Sequence, residues 1–333
     1  MTGDNLPNIV GSTMRSVTVN LNNRCPLRCR HCSMGYSEGY GGDQSRISSD
    51  DLLRIISSIN PEFYDMVLLA GGEPSLDVHL VAEAIAACKS RQLLCAIVTA
   101  PIWASSTERA ERFLDQVKGL DILILSFDLY HLEYLRRDYY ERAIRLANSL
   151  RLLVVLQMVV SNEREKLELE EQMLHIKGSY RSNCSPIVRV GNARGGTALD
   201  VRETLVKKIE DFSRIVRSCT LGNSLVDESG NVHGCCWARS AEKSPFSLMV
   251  ENGQLEETFE YLEANKLFLA MRARGFLDSL TTEGKNDLLR RVRGRVFASE
   301  CDICLVLMNE SSEQDWPEYM DASTLWEKSF RQT

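Results

Sequence analysis

The chain has 333 residues, of which 44% are hydrophobic and 26% are charged, a composition typical of a globular protein with one large domain and a smaller one. Its net charge of −7 comes without a basic stripe, so we expect no nucleic-acid partner. No apolar run reaches the ~20 residues of a membrane span, and Asp4 and Pro7 interrupt the segment that a signal peptide would need. We therefore expect no membrane association and a cytoplasmic location, where the 11 cysteines favour metal binding over disulfides.

Strand-like and helix-like segments alternate along the first half of the chain, which predicts an α/β fold. Ser48 or Ser49 is suited to cap the first helix, and Asp50 and Asp51 suit its first turn. Polar loops at the carboxyl ends of parallel strands are where barrel enzymes carry their chemistry. The six predicted strands are residues 15–20, 66–70, 94–99, 121–126, 152–161 and 187–190.

Three cysteines follow the first predicted strand in a C-x3-C-x2-C pattern, namely Cys25, Cys29 and Cys32. Their thiolates can hold three irons of a [4Fe-4S] cluster and leave the fourth iron open for chemistry. The alternative is a zinc site with His31 as the fourth ligand, since zinc prefers four N or S ligands in closed tetrahedral geometry. The local pattern alone leaves both open.

The second predicted strand runs into Gly71-Gly72-Glu73-Pro74. Consecutive glycines let the backbone approach a ligand closely, Glu73 offers an acceptor, and Pro74 can start a helix where no N–H is needed. Taken alone, a Gly-Gly pair is more often a simple turn. Its position one βα unit after the cysteines favours a functional role.

The three cysteines followed by G-G-E-P resemble the radical S-adenosylmethionine (AdoMet) superfamily. The resemblance implies a partial (β/α)6, TIM-like barrel over residues 1–198 and AdoMet bound to the open iron of the cluster. Reductive cleavage of AdoMet would give a 5′-deoxyadenosyl radical that abstracts a substrate hydrogen, with a flavodoxin- or ferredoxin-type electron donor. It also implies that His31 lies near the adenine and that the segment Gly71, Gly72, Glu73 and Pro74 holds the AdoMet amino group.

Further polar residues lie at or near the ends of the predicted strands and are expected to contact AdoMet or substrate: Thr99, Ser126, Gln157, Asn192 and Arg194. Asp128 and His131 follow the fourth strand, where they would point into the barrel mouth and bind substrate or move a proton. An Asx-type turn with a surface histidine is the alternative for this pair. Three other cysteines are interpreted as buried or incidental thiols, with Cys184 placed just before the sixth strand: Cys88, Cys95 and Cys184.

A second set of cysteines follows residue 198. Cys219 and Cys235 flank Gly230 with ten and four residues between, and a C-x2-C pair stands at Cys301 and Cys304. A hairpin over residues 225–232 would bring Cys219 and Cys235 together. This pattern resembles the twitch domain, a shortened SPASM domain, and implies an auxiliary [4Fe-4S] cluster in residues 199–333. A structural zinc is the alternative here too.

Cys236 is left over beside Cys235, and the resemblance to radical AdoMet epimerases makes it a candidate hydrogen-atom donor. We expect an epimerase in natural-product biosynthesis, acting on an amino sugar intermediate or a ribosomal peptide. Because the first strand begins near residue 15, we expect a small molecule or a short peptide as substrate. The alternatives are an alcohol dehydrogenase or a peptide-crosslinking enzyme that uses the auxiliary cluster as electron acceptor, and, from another class, an iron–sulfur electron carrier or sensor.

Overall fold

The computed structural model describes residues 14–35, 45–188, 191–195, 207–208, 224–235, 247–248, 255–264, 286–291, 295–297 and 300–310. Six strands in the first half pair in parallel with their neighbours in chain order. They are β1 (Ser16–Asn20), β2 (Met66–Ala70), β3 (Leu94–Thr99), β4 (Ile122–Ser126), β5 (Leu153–Val160) and β6 (Arg181–Pro186).

Helices connect these strands, which confirms the predicted α/β class. Ser48 caps the first helix by accepting a hydrogen bond from the backbone N–H of Asp51, one of the two caps that the sequence allowed. The helices are α1 (Ser49–Ser58), α2 (Val78–Ser90), α3 (Thr107–Gln116), the short α4 (Leu129–Leu132), α5 (Arg137–Ser149) and α6 (Glu163–Leu174).

β2 to β5 are largely apolar on both faces, as expected of strands in a sheet that is covered on both sides. Val17, Val19 and Leu69 belong to the large core that includes the buried faces of the helices. The opposite face carries a second, smaller cluster around Met66, Ala96, Ile122 and Val155. Packing on both faces of the sheet fixes the positions of the strand ends, and therefore the positions of the loops that follow them.

The predicted strand bounds are confirmed for β2 and β3 and differ by one residue in β1, β4 and β5. The prediction of a sixth strand at residues 187–190 is wrong, because β6 forms earlier, at Arg181–Pro186. Its sequence R-S-N-C-S-P carries no apolar signal, since it is an edge strand whose residues alternate between half-buried and exposed. Cys184 therefore lies within β6 and is exposed, whereas Cys88 and Cys95 are buried as predicted.

The predicted hairpin is confirmed as β8 (Ser224–Val226) and β9 (Val232–His233). Asp227 stabilises its turn by accepting hydrogen bonds from the backbone N–H groups of Ser229 and Asn231, and Gly230 adopts a φ of +86°. β8 pairs in parallel with β1, and β10 (Ser247–Leu248) pairs with β9, so one nine-stranded sheet runs β10-β9-β8-β1-β2-β3-β4-β5-β6. The predicted boundary at residue 198 stays a prediction, and the sheet continues beyond it.

The remaining described elements are short. β7 (Lys207–Lys208) and β11 (Val296–Phe297) form a separate antiparallel pair. Three helices follow the hairpin: α7 (Leu255–Ala264), α8 (Asn286–Arg291) and α9 (Glu300–Glu310). Phe259 of α7 packs its ring edge-to-face on Tyr64, at 5.9 Å between centroids, which joins this segment to the main core. Among the helices described, none has the length and apolar character needed to cross a membrane.

Candidate functional site

The cysteine loop directly follows β1 and is held on one side by the Gly71-Gly72 turn. Gly72 donates a backbone hydrogen bond to the carbonyl of Asn22 at 2.8 Å, and Glu73 donates one to the carbonyl of Arg24 at 2.7 Å. A Cβ atom on Gly72 would lie 2.2 Å from the Arg24 carbonyl oxygen. The two backbones therefore approach at a distance that only glycine allows.

A second glycine turn holds the other end of the loop. Gly191 has a φ of +55°, and a Cβ there would lie 2.4 Å from the carbonyl oxygen of Cys32. Asn192 donates its backbone N–H to the Cys32 carbonyl at 3.0 Å and its side-chain amide to the Cys29 carbonyl at 3.1 Å. Asn192, predicted to contact AdoMet or substrate, thus binds the cysteine loop. The side chain of Arg194 lies outside the described residues.

A buried carboxylate that sequence reasoning missed supports the start of the loop. Asp77, with 2% of its side chain exposed, accepts two hydrogen bonds from the Arg24 guanidinium at 2.6 Å and one from the Asn22 amide at 2.7 Å. Arg46 adds a contact at 3.3 Å. No local signal marks this network, because Asp77 lies at least 31 residues from each of these partners along the chain.

The three thiols lie close enough to influence one another. Cys29 is buried, while Cys25 and Cys32 are half-buried. Burial raises the pKa of Cys25 to about 12; the nearby groups Glu73, Cys29 and Cys32 add to this rise, and a backbone hydrogen bond from Leu27 opposes it. Three soft sulfur donors on one glycine-clamped loop fit a [4Fe-4S] cluster with one open iron.

The described residues do not gather the four ligands of the zinc alternative, with His31 as the fourth, around one point. Cys29, His31 and His131 form a group of potential metal ligands among the described residues. Their ligand atoms all lie within 4.8 Å of one another. Cys25 and Cys32 do not belong to this group, although a tetrahedral zinc site needs all four ligands around one ion. A cluster instead receives each thiolate at a different iron, so its ligands can lie farther apart.

Glu73 and Thr99, both predicted AdoMet contacts, bind each other at the ends of β2 and β3. The Glu73 carboxylate is buried and accepts hydrogen bonds from the Thr99 hydroxyl, from the backbone N–H of Ser75 at 3.0 Å and from that of Ala100 at 2.8 Å. Burial raises its pKa, and the hydrogen bonds from Ser75 and Thr99 oppose the rise. The Glu73 side chain therefore fixes the fold of the turn, and its contact with AdoMet stays a prediction.

Ser126 is the last residue of β4, and its register partner Gln157 lies three residues before the end of β5. Their contact with AdoMet or substrate stays a prediction. The Gln157 amide donates a hydrogen bond to the hydroxyl of Ser185 at 3.2 Å and accepts one from the amide of Asn183 at 2.8 Å. These bonds form a polar row across β5 and β6. Sequence reasoning missed Asn183 and Ser185 because it placed the sixth strand too late in the chain.

Asp128 and His131 lie together beyond β4, and His31 of the cysteine loop joins them. Asp128, 1% exposed, caps α4 by accepting the backbone N–H of His131 at 3.0 Å. Its carboxylate also contacts the His131 Nδ1 at 2.9 Å and the His31 Nε2 at 3.3 Å. The alternative of an Asx-type turn is thus correct for Asp128, but His131 is not a surface histidine, since only 15% of its side chain is exposed.

The charges of this cluster compensate one another. Burial by itself would raise the pKa of Asp128, but the neighbouring His131 and His31 hold it well below its usual range. Burial would likewise lower the pKa of His131, but Asp128 and a hydrogen bond with Cys29 hold it well above its usual range. Both shifts favour the charged forms of Asp128 and His131.

His31 presents a buried polar atom. Its ring stacks on that of Tyr130 at 4.4 Å between centroids, and sequence reasoning missed Tyr130. Its Nδ1 is buried and has no hydrogen-bond partner in the described part of the chain. A buried donor or acceptor normally has a partner. The position therefore fits a polar ligand beside the thiols, such as the adenosyl group expected near His31.

The second cysteine set is described only in part. Cys235 is buried directly after β9, and Cys301 and Cys304 lie three residues apart on α9. Cys219 and Cys236 lie outside the described residues. Because β9 runs antiparallel to β8 and β8 runs parallel to β1, β9 ends at the end of the sheet opposite to the one that carries the cysteine loop.

Residues 19–163 match the model of the radical SAM superfamily, which places the match over β1 to β5 and the cysteine loop. The chain carries a radical SAM domain. The family assignment agrees with the site, since the matched segment contains the three clamped thiols and the Gly71-Gly72 turn. A radical SAM enzyme uses a [4Fe-4S] cluster and AdoMet, as the resemblance implied.

The chain is also similar to known proteins along most of its length. YydG of Bacillus subtilis (strain 168), by its name a candidate peptide biosynthesis protein, is 20% identical over 308 residues, 90% of this chain and 93% of YydG. Among solved structures, BtrN in complex with AdoMet and 2-DOIA is 13% identical with a TM-score of 0.42, over 86% of this chain and 96% of BtrN. Native anSMEcpe with bound AdoMet has 13% identity and a TM-score of 0.44, over 83% and 97%. Methylornithine synthase (PylB) matches with 14% identity and a TM-score of 0.43, and the chain spans about half its length, 56%.

Proposed function

We propose that this radical SAM enzyme acts on a peptide and inverts one of its carbon centres. The observation that carries the choice of substrate is the likeness to YydG, which extends over 308 residues and so includes the region beyond the radical SAM domain. A shared C-terminal region matters because that part of the chain supplies Cys235, Cys236 and the other cysteines of the second set. An amino sugar remains the alternative substrate.

The chain's own residues prepare the site for the cofactors. Cys25, Cys29 and Cys32 would hold the first cluster, and the backbone of the Gly71-Gly72 turn would face the AdoMet amino group. Bound there, AdoMet supplies the 5′-deoxyadenosyl radical that removes a hydrogen atom from the substrate. The buried Nδ1 of His31, which has no hydrogen-bond partner among the described residues, would be available to the adenosyl group.

The proposed reaction balances with Cys236 as hydrogen-atom donor. Abstraction breaks a substrate C–H bond and leaves a carbon radical together with 5′-deoxyadenosine. The S–H bond of Cys236 then breaks, its hydrogen atom forms a new C–H bond on the opposite face, and a thiyl radical remains. One electron and one proton restore the thiol, and the reductive cleavage of AdoMet to methionine and the radical takes a second electron. A flavodoxin- or ferredoxin-type donor would supply both electrons.

The proposal includes an auxiliary cluster whose ligands come from the second cysteine set. Cys219, Cys235, Cys301 and Cys304 would hold an auxiliary [4Fe-4S] cluster in a twitch-type domain. Cys235 and Cys301 belong to different parts of the fold, since Cys235 follows the hairpin beside β1 and Cys301 packs with Val188 beyond β6. A cluster that joins them would link the two sides of the open sheet, and Cys236 would lie next to one of its ligands.

Isotope incorporation by the reconstituted enzyme in D2O tests the proposal. An epimerase gives a product that is isomeric with the peptide substrate and carries one deuterium at the inverted carbon, because the thiol exchanges with solvent. Cys236→Ala should still produce 5′-deoxyadenosine but should accumulate a substrate radical or an oxidised side product. Mass spectrometry of the product and electron paramagnetic resonance (EPR) of the frozen reaction measure these outcomes, with Cys184→Ala as the matched control at an exposed thiol.

The competing reactions give different products. A dehydrogenase or a crosslinking enzyme would release a product lighter by two hydrogens, without solvent deuterium, and would retain near-normal turnover in Cys236→Ala. Full activity of that variant would therefore remove the epimerase and leave the auxiliary cluster as an electron acceptor. An electron carrier or sensor would form no 5′-deoxyadenosine at all when incubated with AdoMet and dithionite.

A further inference from the structure

We propose that the outer side of the cysteine loop, together with the groove beside α4 and α5, is the docking surface of a small acidic one-electron carrier protein. This inference rests on the proposed function, in which such a carrier reduces the first cluster, and it does not involve Cys236 or the substrate. We name this surface the arginine face and define it by four exposed arginines, Arg28, Arg30, Arg136 and Arg137.

The cysteine loop turns alternate side chains to opposite sides. Leu27 and Cys29 are buried, whereas Pro26, Arg28 and Arg30 are exposed. Both chain neighbours of Cys29 therefore carry a guanidinium group into solvent. Because Cys29 would hold an iron of the first cluster, the backbone of one ligand residue links the arginine face to the cluster. An electron that enters at this face has a short route to the iron.

A groove adjoins the exposed arginines of the loop and enlarges the surface. Arg30 lines it on one side, and side chains from residues 129–138 and from α6 line the remainder. Tyr134, which is 44% exposed, also lines the groove and donates its hydroxyl to the Arg28 carbonyl at 2.9 Å. The groove and the loop therefore form one continuous surface. Arginine and tyrosine are residue types that protein–protein interfaces favour.

The arginine face keeps part of its positive charge uncompensated. Arg30 and Arg136 form ion pairs with carboxylates of the segment 129–138. Arg137 instead donates to the neutral side-chain amide of Gln172, and Arg28 has no carboxylate partner within the described part of the chain. Three carboxylates line the groove, so the four arginines leave the face net positive.

Charge decides which kind of partner this face fits. The whole chain has a net charge of −7, so an acidic protein is repelled by most of the surface and is attracted where the arginines lie. Complementary charges steer two proteins together and disfavour other orientations. An acidic carrier is thereby guided to the surface that lies next to a cluster ligand.

Binding of oxidised flavodoxin, an acidic FMN protein, to the reconstituted full-length enzyme tests the proposal without turnover. We expect the double variant Arg28→Ala, Arg137→Ala to bind flavodoxin about tenfold more weakly than the wild type at low salt. The difference should largely disappear at high salt, because ions screen exposed charges. The matched control is Arg109→Ala, Arg112→Ala, which removes two exposed positive charges from α3, outside the groove and the loop. The control should retain the wild-type affinity, measured by microscale thermophoresis.

The rate of 5′-deoxyadenosine formation separates docking from catalysis. With reduced flavodoxin below saturation, the double variant at Arg28 and Arg137 should form this product about tenfold more slowly than the wild type. With dithionite, a small reductant that needs no docking surface, the two rates should be equal. Replacement of the same two arginines by lysine should restore flavodoxin binding, because lysine keeps the charge.

Wild-type affinity in the alanine double variant, or equal weakening in the α3 control, would overturn the proposal. Failure of both flavodoxin and an acidic [2Fe-2S] ferredoxin to bind the wild type would overturn it as well. If the double variant does not bind iron, Arg137→Ala alone, outside the cysteine loop, should weaken flavodoxin binding about threefold, and unchanged binding there would also contradict the proposal. If the wild type formed no 5′-deoxyadenosine with dithionite, the proposed function itself would fail, and this result is distinguishable from a changed affinity.

Discussion

At the scale of single residues, the fold uses several predicted ligand contacts for its own support. Glu73 is the clearest case, because its carboxylate joins the ends of β2 and β3 through Ser75, Thr99 and Ala100. A residue of the G-G-E-P motif can thus contribute to ligand binding by stabilising the turn that would contact the ligand. The same holds for Asn192, whose amide binds the Cys29 carbonyl.

Glu73→Gln tests this role. Both carboxylate oxygens accept from backbone N–H groups, so a glutamine amide must turn its own donor toward the N–H of Ser75 or of Ala100. An unsatisfied buried donor costs about 1–3 kcal/mol, and we expect the free energy of unfolding of the metal-free protein to fall by about that amount. Urea denaturation followed by circular dichroism measures the change.

The matched control for Glu73 is Glu83→Gln, since Glu83 accepts a hydrogen bond only from the Ser49 hydroxyl in the described contacts. A hydroxyl can reverse its bond and accept from an amide, so this variant should retain its stability. Equal stability of Glu73→Gln and wild type would show that the carboxylate does not support the turn.

At the scale of elements, two glycine turns from distant parts of the chain clamp one loop. The first follows β2 and the second lies beyond β6, and each meets the backbone of the cysteine loop at a distance that excludes a Cβ. The clamp orders a loop that contains three thiols with no regular secondary structure. We infer that both turns are needed before iron is bound.

Gly191→Ala should therefore reduce cluster assembly. The new methyl group would strike the carbonyl oxygens of Cys32 and Ser33 at 2.4 and 2.5 Å, in addition to the strain of a φ of +55°. We expect less iron per chain after anaerobic reconstitution, measured by colorimetric iron analysis and by the charge-transfer absorbance. The elements of the sheet should still form, since the turn is outside every strand.

Gly230→Ala is the control, because Gly230 also has a positive φ, but a methyl group there would meet no atom of the described residues within 4 Å. Its free energy of unfolding should fall only by the cost of a left-handed backbone conformation in alanine, roughly 1–2 kcal/mol. It should bind the iron of the first cluster normally. Normal iron binding by Gly191→Ala would contradict the clamp.

At the scale of the whole molecule, one sheet connects the radical SAM domain with the region that carries the second cysteine set. β8 extends the sheet beside β1, and the cysteine loop follows β1 at its carboxyl end. The two proposed clusters nevertheless share no cysteine ligand, so each should form without the other.

Replacement of Cys25, Cys29 and Cys32 together by alanine tests this separation. The variant should retain about four irons per chain in the auxiliary site and should fail to cleave AdoMet. Iron analysis and chromatographic detection of 5′-deoxyadenosine check the two expectations. Cys88→Ala, at a buried thiol of α2, serves as the control that keeps both clusters.

Complete loss of iron in the triple variant would require a different assignment for the second site. Zinc in the reconstituted wild type, without charge-transfer absorbance, would contradict both clusters.

The sequence by itself determined the elements whose signals are local. Apolar runs marked β2 and β3 to the residue, Ser48 and the acidic first turn marked α1, and the cysteine spacing with G-G-E-P identified the radical SAM domain. The hairpin could also be predicted, because Gly230 and its neighbours favour a tight turn between two apolar segments. These features depend on residues that are close together in the chain.

Only the tertiary structure decided the features that depend on distant partners. β6 has a polar sequence and becomes a strand because β5 offers it an unpaired edge. Asp77, Asn192 and His31 bind residues at least 31 positions away, so no local pattern could reveal these contacts. Burial at these contacts makes each polar partner necessary, and burial is a property of the packed fold and not of the sequence pattern.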